Sequence, residues 1–67
     1  MTIGVRLTHA LEMRGMTQSE LAEKTGITEV SISRYINDLR TPRVSQVIAL
    51  CKELNISADW LLGLKGE

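Results

Sequence analysis

Residues 17–37 read TQSELAEKTGITEVSISRYIN, and the reading of this stretch decides the fold. It opens on Thr17-Gln18-Ser19-Glu20, the pattern of a capping box: the threonine hydroxyl accepts from the Glu20 amide while the glutamate reaches back to the cap's own N–H. A helix from about Gln18 to Lys24 should follow, with Leu21 and Ala22 inward. Gly26 ends it, because glycine accepts the positive φ that closes a helix. Thr28 then caps the next helix. Only Ile27 and Thr28 separate Gly26 from that helix, and two helices joined so tightly must cross steeply rather than lie antiparallel.

The helix that Thr28 opens has two faces. At about 100° per residue, Ile32, Tyr35, Ile36 and Leu39 gather on one side as a core stripe. Glu29, Val30, Ser33, Arg34 and Asn37 share the opposite arc. That arc should be a purely solvated face, yet a valine sits in its middle beside an arginine.

Outward from this pair, the same periodicity predicts three more helices. Ile3, Leu7, Ala10 and Leu11 mark a first helix ending near Gly15. Thr41-Pro42 breaks the chain, and a fourth helix runs from about Val44 to Leu54 with Val47, Leu50, Cys51 and Leu54 inward. Ser57 caps a short fifth helix holding Trp60 and Leu61. No strand pattern, repeat or low-complexity tract interrupts them, so residues 1–67 form one all-α domain of five helices.

Composition bounds what such a domain does. At 67 residues, the chain buries only about 60% of its unfolded surface. With Trp60 and Tyr35 as its only aromatics, its core is aliphatic. Cys51 is the single cysteine, so there is no internal disulfide and no paired-cysteine metal site, and a reducing compartment fits. No apolar run approaches the roughly 20 residues of a membrane span, and Arg6 and His9 break up the N-terminal apolar residues as no signal peptide would. A cytoplasmic protein is expected. Eight basic and eight acidic residues give zero formal charge, which argues against nonspecific polyanion binding. The distribution matters more, since Arg34, Arg40 and Arg43 lie within ten residues and only Asp38 opposes them there.

The stretch 17–37 resembles the helix-turn-helix of the phage repressor and Cro family of bacterial regulators, also called xenobiotic-response-element-like. The matching residues are Gln18, Leu21-Ala22, Gly26, Ile27, Ile32 and Tyr35. The likeness continues through IGVRL at the start, RTPR after the third helix and LNISADWLLG at the end, and so covers essentially the whole chain. It implies a compact, five-helix lambda-repressor-like domain with the helix-turn-helix at about 18–37. It also implies sequence-specific binding of double-stranded DNA with the third helix in the major groove.

In that frame the outward valine has a candidate role. A small apolar side chain recognises the thymine C5-methyl by contact, and an arginine one turn on donates two hydrogen bonds to guanine O6 and N7. The resemblance places base-reading side chains at Glu29, Val30 and Arg34, with a weaker contribution from Ser33. Glu29 has three readings: acceptor from cytosine N4, a charge that repels phosphate and rejects wrong registers, or partner of the helix dipole. Phosphate contacts are expected from Gln18 at the start of the second helix, and from Asn37, Arg40 and Arg43 after the third. Thr28 is foremost a cap that can also touch phosphate. Arg14 and Lys24 are expected to be solvated. Ile56, Leu62 and Leu64 are the candidate dimer contacts, with Trp60 given to the core. A two-fold dimer would set two reading helices about 34 Å apart on a palindromic operator, most simply as a repressor.

Two positions depart from the family. Where many relatives carry an arginine and a glutamate as a partly buried ion pair, Leu11 and Ile36 stand, a joint replacement that costs little and often stabilises. The two side chains are expected to touch. Asp38 stands where a glycine usually follows the recognition helix. Its charge is expected to weaken nonspecific binding, which would make the protein depend on dimerisation.

The competing reading is a protein-interaction or antitoxin-like module of the same fold with weak or no DNA binding. Catalysis has no support: His9 and Cys51 lack positioned acid, base or metal partners. No cofactor, metal or small-molecule ligand is expected. The length suits either a complete Cro-like regulator or the DNA-binding part of a longer repressor.

Overall fold

The computed structural model describes residues 1–64, which form five helices: α1 (Ile3–Arg14), α2 (Gln18–Thr25), α3 (Glu29–Ile36), α4 (Val44–Leu54) and α5 (Ala58–Leu61). No strand occurs among the described residues. The helix starts are the expected ones. Thr17 Oγ1 accepts from Glu20 N at 3.1 Å and Glu20 Oε1 accepts from Thr17 N at 3.0 Å, completing the capping box. Thr28 and Ser57 accept from Ser31 N and Trp60 N in the same way. Gly26 closes α2 with φ 76°.

The core draws Leu7, Ala10 and Leu11 from α1, Leu21 from α2, Ile32 and Tyr35 from α3, and Val47, Leu50 and Leu54 from α4, with Ile27 and Leu61 completing it. Leu11 is buried in this core, and Ile36 of α3 is partly buried against the same cluster. Ala22, Cys51 and Trp60 are half-buried at its edge. The Arg6 guanidinium lies over the Trp60 ring, 5.8 Å from its centroid, and so joins α1 to α5.

Two expectations are corrected. Leu39 does not extend the apolar stripe of α3: the helix stops at Ile36 and Leu39 is 78% exposed in the following loop. The cause is Asp38, whose φ of 58° is left-handed and turns the chain out of the helix. Arg14 is not simply solvated. Its Nε donates to the Leu54 carbonyl at 2.7 Å and its Nη2 to that of Asn55 at 3.1 Å, satisfying carbonyls left open at the end of α4.

Tyr35 ties α3 to α4. It is 2% exposed, and its hydroxyl donates to Gln46 Oε1, which also accepts from Arg43 N at 3.0 Å. Replacing Tyr35 by phenylalanine should cost about 1 kcal/mol in urea unfolding. Gln46→Ala should cost about 1–3 kcal/mol, because it strands the buried hydroxyl. Equal stabilities for both variants and the wild type would show that this link contributes nothing.

Candidate nucleic-acid interface

α3 is held by Ile32 and Tyr35, respectively 0% and 2% exposed, and its opposite arc is therefore forced outward. Glu29 and Arg34 are exposed, and Val30 is 60% exposed between them. Ser33 is half-buried. Its carbonyl accepts from the Asn37 side-chain amide at 2.8 Å, with Ser33 Oγ 3.4 Å from the same nitrogen. Glu29, Val30 and Arg34 are thus the open side chains of this face, while Ser33 lies deeper and is partly engaged.

Gln18 is exposed in the first turn of α2. The first amides of any helix lack intrahelical acceptors. Here Thr17 takes that of Glu20, leaving those of Gln18 and Ser19 beside the Gln18 side chain. The Glu20 carboxyl is held below the usual carboxylate range by the Thr17 backbone N–H and then by its hydroxyl. Thr28 accepts from Ser31 N and donates its hydroxyl hydrogen to Ser31 Oγ at 3.0 Å, so it serves α3 as a cap first.

The loop 37–43 carries Arg40 and Arg43, both exposed, and is fixed at both ends. At its start Leu39 N donates to Arg34 O at 2.8 Å and Asp38 N to Tyr35 O at 3.2 Å, a Schellman closure with Asp38 in the left-handed position. At its end Pro42 is buried and Arg43 N is bonded to Gln46. The Asp38 charge does not stand free beside this loop. Its Oδ2 accepts from the Thr2 hydroxyl at 2.6 Å and its Oδ1 from Gly4 N at 3.0 Å, which places the carboxylate on the N-terminus of α1.

Gln18, Glu29, Arg34 and Arg40 are exposed, and their side chains take part in none of the side-chain hydrogen bonds formed among the described residues. Arg14, Asn37 and Asp38, polar and exposed like them, are tied to the fold. Gln46, Gly4 and the Asp38–Thr2 contact, which support the candidate face from behind, are what sequence reasoning missed. Gln46 was detectable in principle, since it stands at the glutamine position of a capping box, but the box opens on Arg43 instead of serine or threonine.

At the other end, Ile56 is half-buried and lines a groove of about 380 Å³ with Met1, His9, Met13 and Trp60 among its walls. Leu62 is 43% and Leu64 77% exposed. Burial pushes the Cys51 thiol up, away from reactivity. No group of three or more His, Cys, Asp or Glu side chains among the described residues could hold a metal ion.

The helix-turn-helix family model matches residues 7–61. The chain belongs to the helix-turn-helix family of phage-repressor-like transcriptional regulators. Relatives it matches are named as transcriptional regulators. It is 40% identical over 63 residues to the HTH-type transcriptional regulator ImmR of Bacillus subtilis, a match covering 94% of this chain and 50% of ImmR. The chain likewise spans only 30% of a similar regulator for a conjugative element in Vibrio cholerae, at 38% identity over 66 residues covering 98% of this chain. Among solved structures, it is similar to a c2 repressor protein in complex with a synthetic operator, with TM-score 0.88, 27% identity and coverage of 92% of this chain and 94% of that one. As a helix-turn-helix domain of this type, it has no helix among the described residues long and apolar enough to cross a membrane.

Proposed function

We propose that this domain binds double-stranded DNA sequence-specifically in the cytoplasm, as the operator-reading part of a repressor, and that it does so as a homodimer on a palindromic site. The observation that carries this reading is the free outward arc of α3, Glu29-Val30 and Arg34, set between Gln18 on α2 and Arg40 and Arg43 in the loop. A helix presenting such side chains from a rigid support is what major-groove reading needs. The c2 repressor, which shares the fold, is bound to an operator. Asp38 would count for a protein-interaction module if its charge stood free, and it does not.

In the complex, Val30 contacts a thymine methyl and Arg34 a guanine edge. Glu29 either accepts from cytosine N4 or supports the α3 dipole. Ser33 adds a weaker contact, limited by its depth. Gln18, Arg40 and Arg43 hold phosphates. Asn37 reaches a phosphate by releasing the longer of its two amide contacts, that to Ser33 Oγ, and Thr28 can contribute only by turning its hydroxyl from Ser31. Ile56, Leu62 and Leu64 form the two-fold contact.

Selection from a pool of random duplex DNA, followed by a salt titration of the enriched sequence, tests this directly. An inverted repeat with half-sites about one helical turn apart and a steep salt slope is expected. Val30→Ala should then relax the preference at one T·A position per half-site by about 1 kcal/mol, the value of the lost methyl contact. If nothing enriches at low salt while sedimentation shows a dimer, the operator reading is wrong.

A further inference from the structure

Asp38 stands in a conformation that favours glycine, with φ 58°. L-residues resist this region, and aspartate only somewhat less than most. A residue chosen for the turn alone would be glycine, so the side chain must serve something. It reaches across 36 positions to the Thr2 hydroxyl and across 34 to the Gly4 amide. Thr2 Oγ1 in turn accepts from Val5 N at 3.1 Å. One carboxylate therefore joins the N-terminal turn of α1 to the residue that ends the α3 closure, and both its donors belong to a helix N-terminus whose dipole favours a negative partner.

The connection matters because the chain beyond Asp38 has little else to hold it. Leu39, Arg40 and Thr41 are exposed; beyond the bond from Leu39 N to Arg34 O, the next anchors along the chain are the buried Pro42 and Arg43 N on Gln46. Without the carboxylate contact, the segment bearing Arg40 would be pinned at one end by the core and at the other by the α3 closure alone. With it, the loop is anchored to α1, the same helix that backs α3.

We propose that Asp38 is a positioning residue for DNA binding: anchored by Thr2 and Gly4, it holds the loop so that Arg40 meets the phosphate backbone in register with the bases that α3 reads. This rests on the DNA-binding reading above. It reverses the simple electrostatic expectation, in which a negative charge at this place only repels phosphate.

The variants Asp38→Gly and Asp38→Asn separate the two accounts. Glycine relieves the backbone and removes the charge, so repulsion or conformational strain alone predicts binding as tight as the wild type or tighter. The anchor predicts the opposite: Asp38→Gly should bind the selected operator duplex roughly tenfold more weakly, with a salt slope lower by about one per half-site, the value of one lost phosphate contact. Asp38→Asn keeps an oxygen for Gly4 N and an amide to donate to Thr2 Oγ1, and should restore the wild-type slope. The slope loss of Arg40→Ala should equal that of Asp38→Gly, and the double variant should lose no more than either. Thermal melts of each variant, with binding measured well below the transition, keep folding out of the comparison. Operator-binding wild type with an unchanged or steeper slope in Asp38→Gly overturns the anchor. A slope loss that adds fully to that of Arg40→Ala overturns it too. A wild type with no preference for any selected duplex overturns the DNA-binding reading itself.

Discussion

Arg34→Ala should erase the preference for G·C at one position of each half-site while leaving the domain folded. A bidentate arginine–guanine pair contributes about 1–3 kcal/mol of discrimination, and a two-fold dimer makes the contact twice, so about 2–6 kcal/mol of operator affinity is at stake. The fold loses little, because the Arg34 side chain is exposed and the one bond the residue gives the closure of α3, from Leu39 N, goes to its backbone carbonyl, which alanine keeps. Only its favourable place in the last turn of α3 is given up, worth a few tenths of a kcal/mol to about 1. Arg34→Lys discriminates between readings. Lysine keeps the charge but has no planar fork, so the salt slope should persist while the base preference collapses. Repeating the random-duplex selection with both variants measures this. A uniform loss across all sequences in Arg34→Ala would make Arg34 a phosphate contact, and full preference in Arg34→Lys would remove the bidentate geometry.

That prediction was legible in the sequence because outward placement follows from a local period. Once Ile32 and Tyr35 are assigned inward, Glu29, Val30 and Arg34 have nowhere else to point, and the structure leaves them there. The caps at Thr17, Thr28 and Ser57 were legible for the same reason, each being completed within three residues. What could not be read was every polar contact made at long range. Arg14 looks solvated until the end of α4 is brought to it, 40 positions away. Leu39 continues the apolar stripe on paper, but the period says nothing about where a left-handed residue stops the helix. Asp38 shows why: its conformation is locally unfavourable, and the donors that offset it come from Thr2 and Gly4 at the other end of the domain.

Gly4 carries the steric half of that same junction, and Gly4→Ala should be among the most damaging single-methyl changes available to the domain. Within a helix, alanine is normally better than glycine by about 1 kcal/mol, so propensity alone predicts stabilisation. The structure predicts the reverse. A Cβ at Gly4 would overlap the Ile36 carbonyl and come within 2.8 Å of Asp38 Oδ2. The first obstacle is backbone, at the last residue of α3, and it cannot swing aside as a side chain would. α1 must back away from α3, which loosens the Asp38 bonds and the packing of Leu7 and Leu11 together. Overpacking of this kind costs about 1–3 kcal/mol, and a 67-residue domain has only about 3–10 kcal/mol in total. Gly15→Ala is the internal comparison: its Cβ would meet nothing within 4 Å, and only its φ of 61° resists, at about 1 kcal/mol. Urea unfolding of both variants should therefore rank Gly4→Ala as the less stable, with its operator affinity also reduced because α3 has shifted. A Gly4→Ala protein as stable as the wild type would mean that the two helices separate without cost, and that the junction of α1 with α3 is not what sets the reading helix in place.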